Sequence, residues 1–140
     1  MKLRIVSAWT CALLLGLALD LAINAPSVAQ VKKPMAEQRF PDVIATKVRS
    51  SAAGVFDFDV TLSSPYDTAQ RYADAFRVTT LDGKVLGERI LWHDHQEEQP
   101  FTRDLYGLRI PADVKKVIIQ GRDKKHGYGG KAMEVNLPAR

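Results

Sequence analysis

The sequence predicts an all-β domain, a seven-stranded sandwich behind an N-terminal signal peptide. Three observations carry that reading: a basic start that runs into a short apolar core, a change to period-two alternation further on, and an Asp-Gly turn between two β-prone stretches. With 140 residues, 46% hydrophobic content, nine Gly and seven Pro, the chain suits one ordinary globular domain and no fibrous or low-complexity class. The single cysteine excludes an intrachain disulfide framework and a multi-cysteine zinc site.

Lys2 and Arg4 precede the apolar residues 5–19, and small residues follow, which is the layout of an export signal. Asp20 interrupts the run before it reaches the roughly 20 residues a bilayer span needs. Cleavage after Ala29, with Ser27 two positions earlier, is preferred over cleavage after Ala25, where Pro26 would follow the bond and Ile23 is too large for the small-residue pocket. Cys11 precedes most of the apolar core and belongs to the signal, so it does not read as a lipidated residue. The organisation is then signal peptide 1–29, flexible leader 30–42 and sandwich 43–140. The mature chain has no cysteine, and loss of Lys2, Arg4 and Asp20 lowers the net charge from +4 to +3. The protein reads as exported, periplasmic or secreted, with no stable membrane span once the signal is removed.

Residues 30–42 carry two prolines and mixed charge with no period. From Val43 the pattern is that of strands. Residues 43–49 make a first one. Residues 55–63 are the clearest, with Phe56, Phe58, Val60 and Leu62 alternating with Asp57, Asp59 and Thr61, one face for the core and one for water. A Ser-Ser-Pro-Tyr-Asp turn follows, and residues 67–75 are the one stretch compatible with a short helical turn. Strands at 72–80 and 85–92 flank Leu81-Asp82-Gly83-Lys84, a hairpin signal because Gly supplies the positive φ of a tight turn. Residues 101–110, 114–122 and 131–137 complete seven, with Trp92 and Phe101 read as core residues.

The seven strands over 43–137, with Leu105-Tyr106-Gly107-Leu108-Arg109-Ile110-Pro111 leading into Val117-Ile118-Ile119, resemble fibronectin type III and immunoglobulin-like sandwiches. The cysteine pair of antibody domains is missing. The resemblance implies a fold and not an activity. It also implies that the connections after strands two, four and six gather at one end, which would bring His93 and His95 near His126. Three imidazoles with an open position suit Cu(II) or Zn(II), and Asp94, Glu97 or Glu98 could add an oxygen ligand. The Asp123-Lys124-Lys125-His126-Gly127-Tyr128 turn also resembles the Cys-x-x-His-Gly turn of superoxide reductases, with Asp123 where the thiolate ligand would stand, so no activity is carried over.

Lys124 and Lys125, with Tyr128 in a Gly-Tyr-Gly-Gly loop, form the other candidate site, a docking surface for a protein or an anionic envelope component. Nucleic acid does not fit an exported chain. No Ser sits in a Gly-x-Ser-x-Gly elbow and no Cys nucleophile survives cleavage, so hydrolase and transferase classes are set aside. Two functions remain: an exported interaction or accessory module, and a periplasmic metal-binding protein using His93, His95 and His126.

Overall fold

The computed structural model describes residues 37–139. The expected signal peptide, and the expected leader as far as residue 36, lie outside the described residues. Eight strands and one 3-10 turn make up the order: β1 (Asp42–Ala52), β2 (Val55–Ser63), β3 (Ala73–Thr79), β4 (Val85–Ile90), the turn Gln96–Glu98, β5 (Phe101–Arg109), β6 (Lys116–Asp123), β7 (Gly127–Tyr128) and β8 (Met133–Asn136). The fold is all-β in two sheets, β1-β2-β5 and β4-β3-β6-β7, with β8 also paired to β6 and every pairing antiparallel. No helix among the described residues is long and apolar enough to cross a membrane.

The alternation of β2 is realised as read. Phe56, Phe58, Val60 and Leu62 are completely buried, and the acidic side chains between them lie on the outer face, where Arg49 pairs with Asp57 at 3.0 Å and Asp59 at 3.4 Å. Phe76 and Val78 of β3, with Val117 and Ile119 of β6, meet that row from the second sheet. Phe101 closes the core as expected. The Asp-Gly hairpin also forms: Thr80 N donates to Lys84 O at 2.9 Å, and Gly83 takes φ +91°.

The structure departs from the sequence reading at four points. The last expected strand is preceded by a two-residue one, because Gly127, at φ +83°, folds the chain straight back so that Tyr128 pairs with Arg122. Residues 67–72 form turns instead of a helical turn, and the 3-10 turn lies at Gln96–Glu98. Trp92 is not in the core. β4 ends at Ile90, and Leu91, held by its N–H on Asp74 O at 2.8 Å, takes the inward position; the next side chain must then face out. Finally, the strand boundary moves to Asp42, and the residues just before it are packed down. Pro41 is buried against Gly121, and Phe40 lies against Gly129, where an added Cβ would collide with its ring. Val43 N donates to Lys131 O at 2.8 Å, and Lys131 N donates to Asp42 Oδ1 at 2.7 Å. The first and last parts of the domain are thereby buttoned together.

Candidate functional site

Three connections gather at one end of the sandwich: residues 64–72, 91–100 and 124–126. Buried carboxylates tie them. Asp67 accepts from Ala73 N and from His95 N, both at 3.1 Å, so one side chain fixes the loop after β2 and the loop after β4. Asp123 accepts from Lys125 N at 3.0 Å and His126 N at 2.7 Å with one oxygen, and from Arg71 Nε at 3.1 Å with the other. Lys124 N donates to Tyr72 O at 3.0 Å and closes the third side. Gln99 completes the frame, accepting from Ser64 N at 2.7 Å and donating to His95 O at 3.2 Å. Orphan backbone groups in these loops find partners on side chains that are themselves buried, which makes the end a rigid platform.

His95 lies inside this frame. Its side chain is 1% exposed and stacks on Phe101 with centroids 3.9 Å apart, and Nδ1 has no hydrogen-bond partner, standing 4.0 Å from Asp67 Oδ2. Burial, with smaller contributions from Arg103 and His93, pushes the imidazole down to about 4, so it is neutral at physiological pH. Burial also holds the Asp67 carboxyl above its ordinary value, against the three hydrogen bonds that favour its charged form. His93 is exposed, and its ring lies over His95 with centroids 4.7 Å apart, while its Nδ1 is 2.8 Å from Asp94 O. His126 stands apart on the β6–β7 turn, its ring edge-on to Phe40 at 6.0 Å. The structure thus brings the His93 and His95 rings into tilted contact and places His126 against the N-terminal segment. Among the described residues no group of three or more His, Cys, Asp or Glu side chains is arranged to hold a metal ion.

The second set of candidates also divides. Lys124 and Lys125 are exposed at the loop end, Lys124 with its Nζ 4.6 Å from the centre of the Tyr72 ring. Tyr128 sits on the outer face of the larger sheet, donating to Glu88 at 2.6 Å under the Arg77 guanidinium, 3.8 Å from its ring centre. Arg122 binds Asp74 at 2.8 Å and Glu88 at 2.9 Å beside it. Burial and the Glu88 carboxylate raise the Tyr128 hydroxyl well above its usual range.

Trp92 is the residue that the sequence reading misplaced. It is 82% exposed, on the loop that Asp67 holds, and its carbonyl accepts from the Tyr72 hydroxyl at 3.3 Å. Tyr72 therefore links Trp92 to Lys124. The N-terminal segment arrives at the same end: Arg71 donates to Arg39 O at 2.9 Å and pairs with Glu37 at 3.4 Å, and Gln38 Nε2 donates to Ser63 O at 2.9 Å. A cleft of about 470 Å³ lies at the far end, between the β3–β4 hairpin and the β5–β6 loop, with Leu81, Leu86 and Val114 beside Lys84, Lys115 and Lys116. None of the candidate site residues, His93, His95, His126, Lys124, Lys125 and Tyr128, lines it.

Fold and site together define a two-sheet β-sandwich with a cross-braced loop end that presents an aromatic side chain. No family model matches the chain, and no solved structure matches it. A protein of Halomicrobium mukohataei named "Putative lipoprotein" is 38% identical over 98 residues, covering 70% of this chain and 48% of that protein. The chain spans about half the length of the curated relative it matches.

Proposed function

We propose that the protein is an exported accessory module of the cell envelope, a fibronectin type III-like sandwich that binds an envelope component through its loop end. The observation that carries this is Trp92. A tryptophan 82% exposed on a loop fixed by buried hydrogen bonds holds a large apolar ring in water, and tryptophan is enriched among the side chains that anchor binding interfaces. The titratable groups beneath it are spent on structure: Asp67 on two backbone N–H groups, Asp123 on two more and Arg71, and His95 on a stack with Phe101. That favours a binding platform over a reaction centre.

Similarity to a protein named as a lipoprotein supports an envelope location, and the basic-apolar N-terminus of the chain supports export. The strand order supports the fibronectin type over the antibody constant type. β4 lies beside β3, whereas in constant domains the fourth strand joins the sheet of the first two.

Photo-crosslinking in cells tests the reading. A crosslinking amino acid at position 92 should yield adducts with envelope material, and one at position 81, on the far hairpin, should not. Equal labelling from both positions, or none from position 92, overturns it.

A further inference from the structure

We infer that the loop end docks on the anionic headgroup surface of a lipid bilayer, with Trp92 as the interfacial anchor and Lys124 and Lys125 as headgroup contacts. This rests on the loop end being the binding face and names its partner. Tryptophan suits the water–lipid interface because its ring is apolar and its N–H polar. Trp92 combines high exposure with a backbone pinned by the Tyr72 hydroxyl, so it can enter a headgroup layer without reordering the loop.

The charges at this end have the matching sign. Lys124 and Lys125 are exposed, as is Arg39 on the entering segment. The opposing carboxylates are mostly accounted for. Asp67 and Asp123 are buried, Glu98 is held by Arg103 at 2.9 Å, and Glu37 is paired with Arg71. Among the described residues, Asp94 and Glu97 remain against Lys124, Lys125 and Arg39. At the far end the lysines are differently placed: Lys116 is bound to Glu134 at 2.8 Å and Lys115 to Ala112 O at 2.9 Å, beside Asp82 and Asp113.

Residues from Met35 onward form one compact unit containing the whole core, so the chain starting at Gln30 is a fair test molecule, and in it Trp92 is the sole tryptophan. It is mixed with vesicles of phosphatidylcholine alone or with phosphatidylglycerol added, and with brominated lipids. With phosphatidylglycerol present, Trp92 emission should shift to the blue and be quenched by bromine, and high salt should reverse both. Lys124→Ala/Lys125→Ala should lower partitioning roughly 30-fold. A far-end reporter, Trp92→Phe/Leu81→Trp, should stay unshifted.

An unshifted Trp92 on both vesicle types overturns the inference, as does a far-end reporter that shifts equally. Equal binding to phosphatidylcholine alone, or binding indifferent to the two lysines, overturns the anionic-headgroup assignment. Crosslinking from position 92 to a protein, with Trp92 unshifted on vesicles, would remove the lipid partner and leave the loop end as binding face. No adduct from position 92 would remove both.

Discussion

Replacing His95 by Phe should flatten the acid side of the stability profile. The imidazole of an unfolded chain takes up its proton near ~6.5, but inside the fold it does so only near about 4. Between those values the unfolded state binds more protons, so the stability His95 contributes is intact above the unfolded value and is lost as pH falls toward the folded one. At about pH 5 the loss is about 2 kcal/mol, and it barely depends on the folded value because the unfolded state dominates the difference there. Phe at this position keeps the stack on Phe101, and the backbone N–H still reaches Asp67. No hydrogen bond of Nδ1 is forfeited, since Nδ1 has no partner. The burial-raised carboxyl of Asp67 acts in the opposite sense, losing stability as pH rises, and is present in both proteins. Urea denaturation of wild type and variant at about pH 7.5 and about pH 5 reads the difference, which should move by about 2 kcal/mol in favour of the variant. Parallel profiles would refute the argument. So would a wild type that gains on the variant in acid, because that would mean imidazolium drawn onto Asp67 Oδ2 from its 4.0 Å separation.

Other outcomes follow from the same frame. Asp123→Ala leaves Arg71 with only the exposed Glu37 carboxylate and two backbone N–H groups without an acceptor, and should cost roughly 2–4 kcal/mol in denaturant unfolding. Trp92→Ala should change stability by less than about 0.5 kcal/mol, whereas a core tryptophan would cost about 3–5 kcal/mol; calorimetry separates the two. Because His126 contacts Phe40 and is grouped with no metal-holding set among the described residues, His126→Ala should leave any Cu(II) or Zn(II) affinity in titration unchanged. A loss of affinity in that variant would restore the three-histidine site. Gly129→Ala should displace the Phe40 ring and lower stability by about 1–3 kcal/mol, measured by thermal melting.

The parts of the fold written in period two were legible in the sequence. Phe56 to Leu62 needed only alternation, and Asp82-Gly83 needed only the chemistry of a tight turn. Trp92 shows where the method fails. Its side depends on where β4 stops, and a shift of one residue reverses every inward and outward assignment beyond it. Phase counted from Leu86 and Ile90 put Trp92 inside, but Leu91 holds that place. The site was legible only as a gathering of loops. The pairs that brace it, Asp67 with His95 across 28 positions of the chain and Arg71 with Asp123 across 52, are encoded by no local spacing. Asp67 carried one weak local sign, its place in a Ser-Ser-Pro-Tyr-Asp cluster, where short polar side chains commonly bond the backbone. Tyr128 was assigned to a loop because two-residue strands leave no periodic trace.

The buttoning of Pro41 to Val43 against Gly121, Gly130 and Lys131 has a kinetic side. A chain that crosses a membrane N-terminus first delivers Phe40 and Pro41 well before Gly121 and Gly129, the glycines that receive them. The Lys131–Asp42 bond spans 89 positions, and contacts of such separation form late. The sandwich therefore stays open along one side until Lys131 has emerged, and a ribosome or translocation channel still holding that segment would keep the domain threadable.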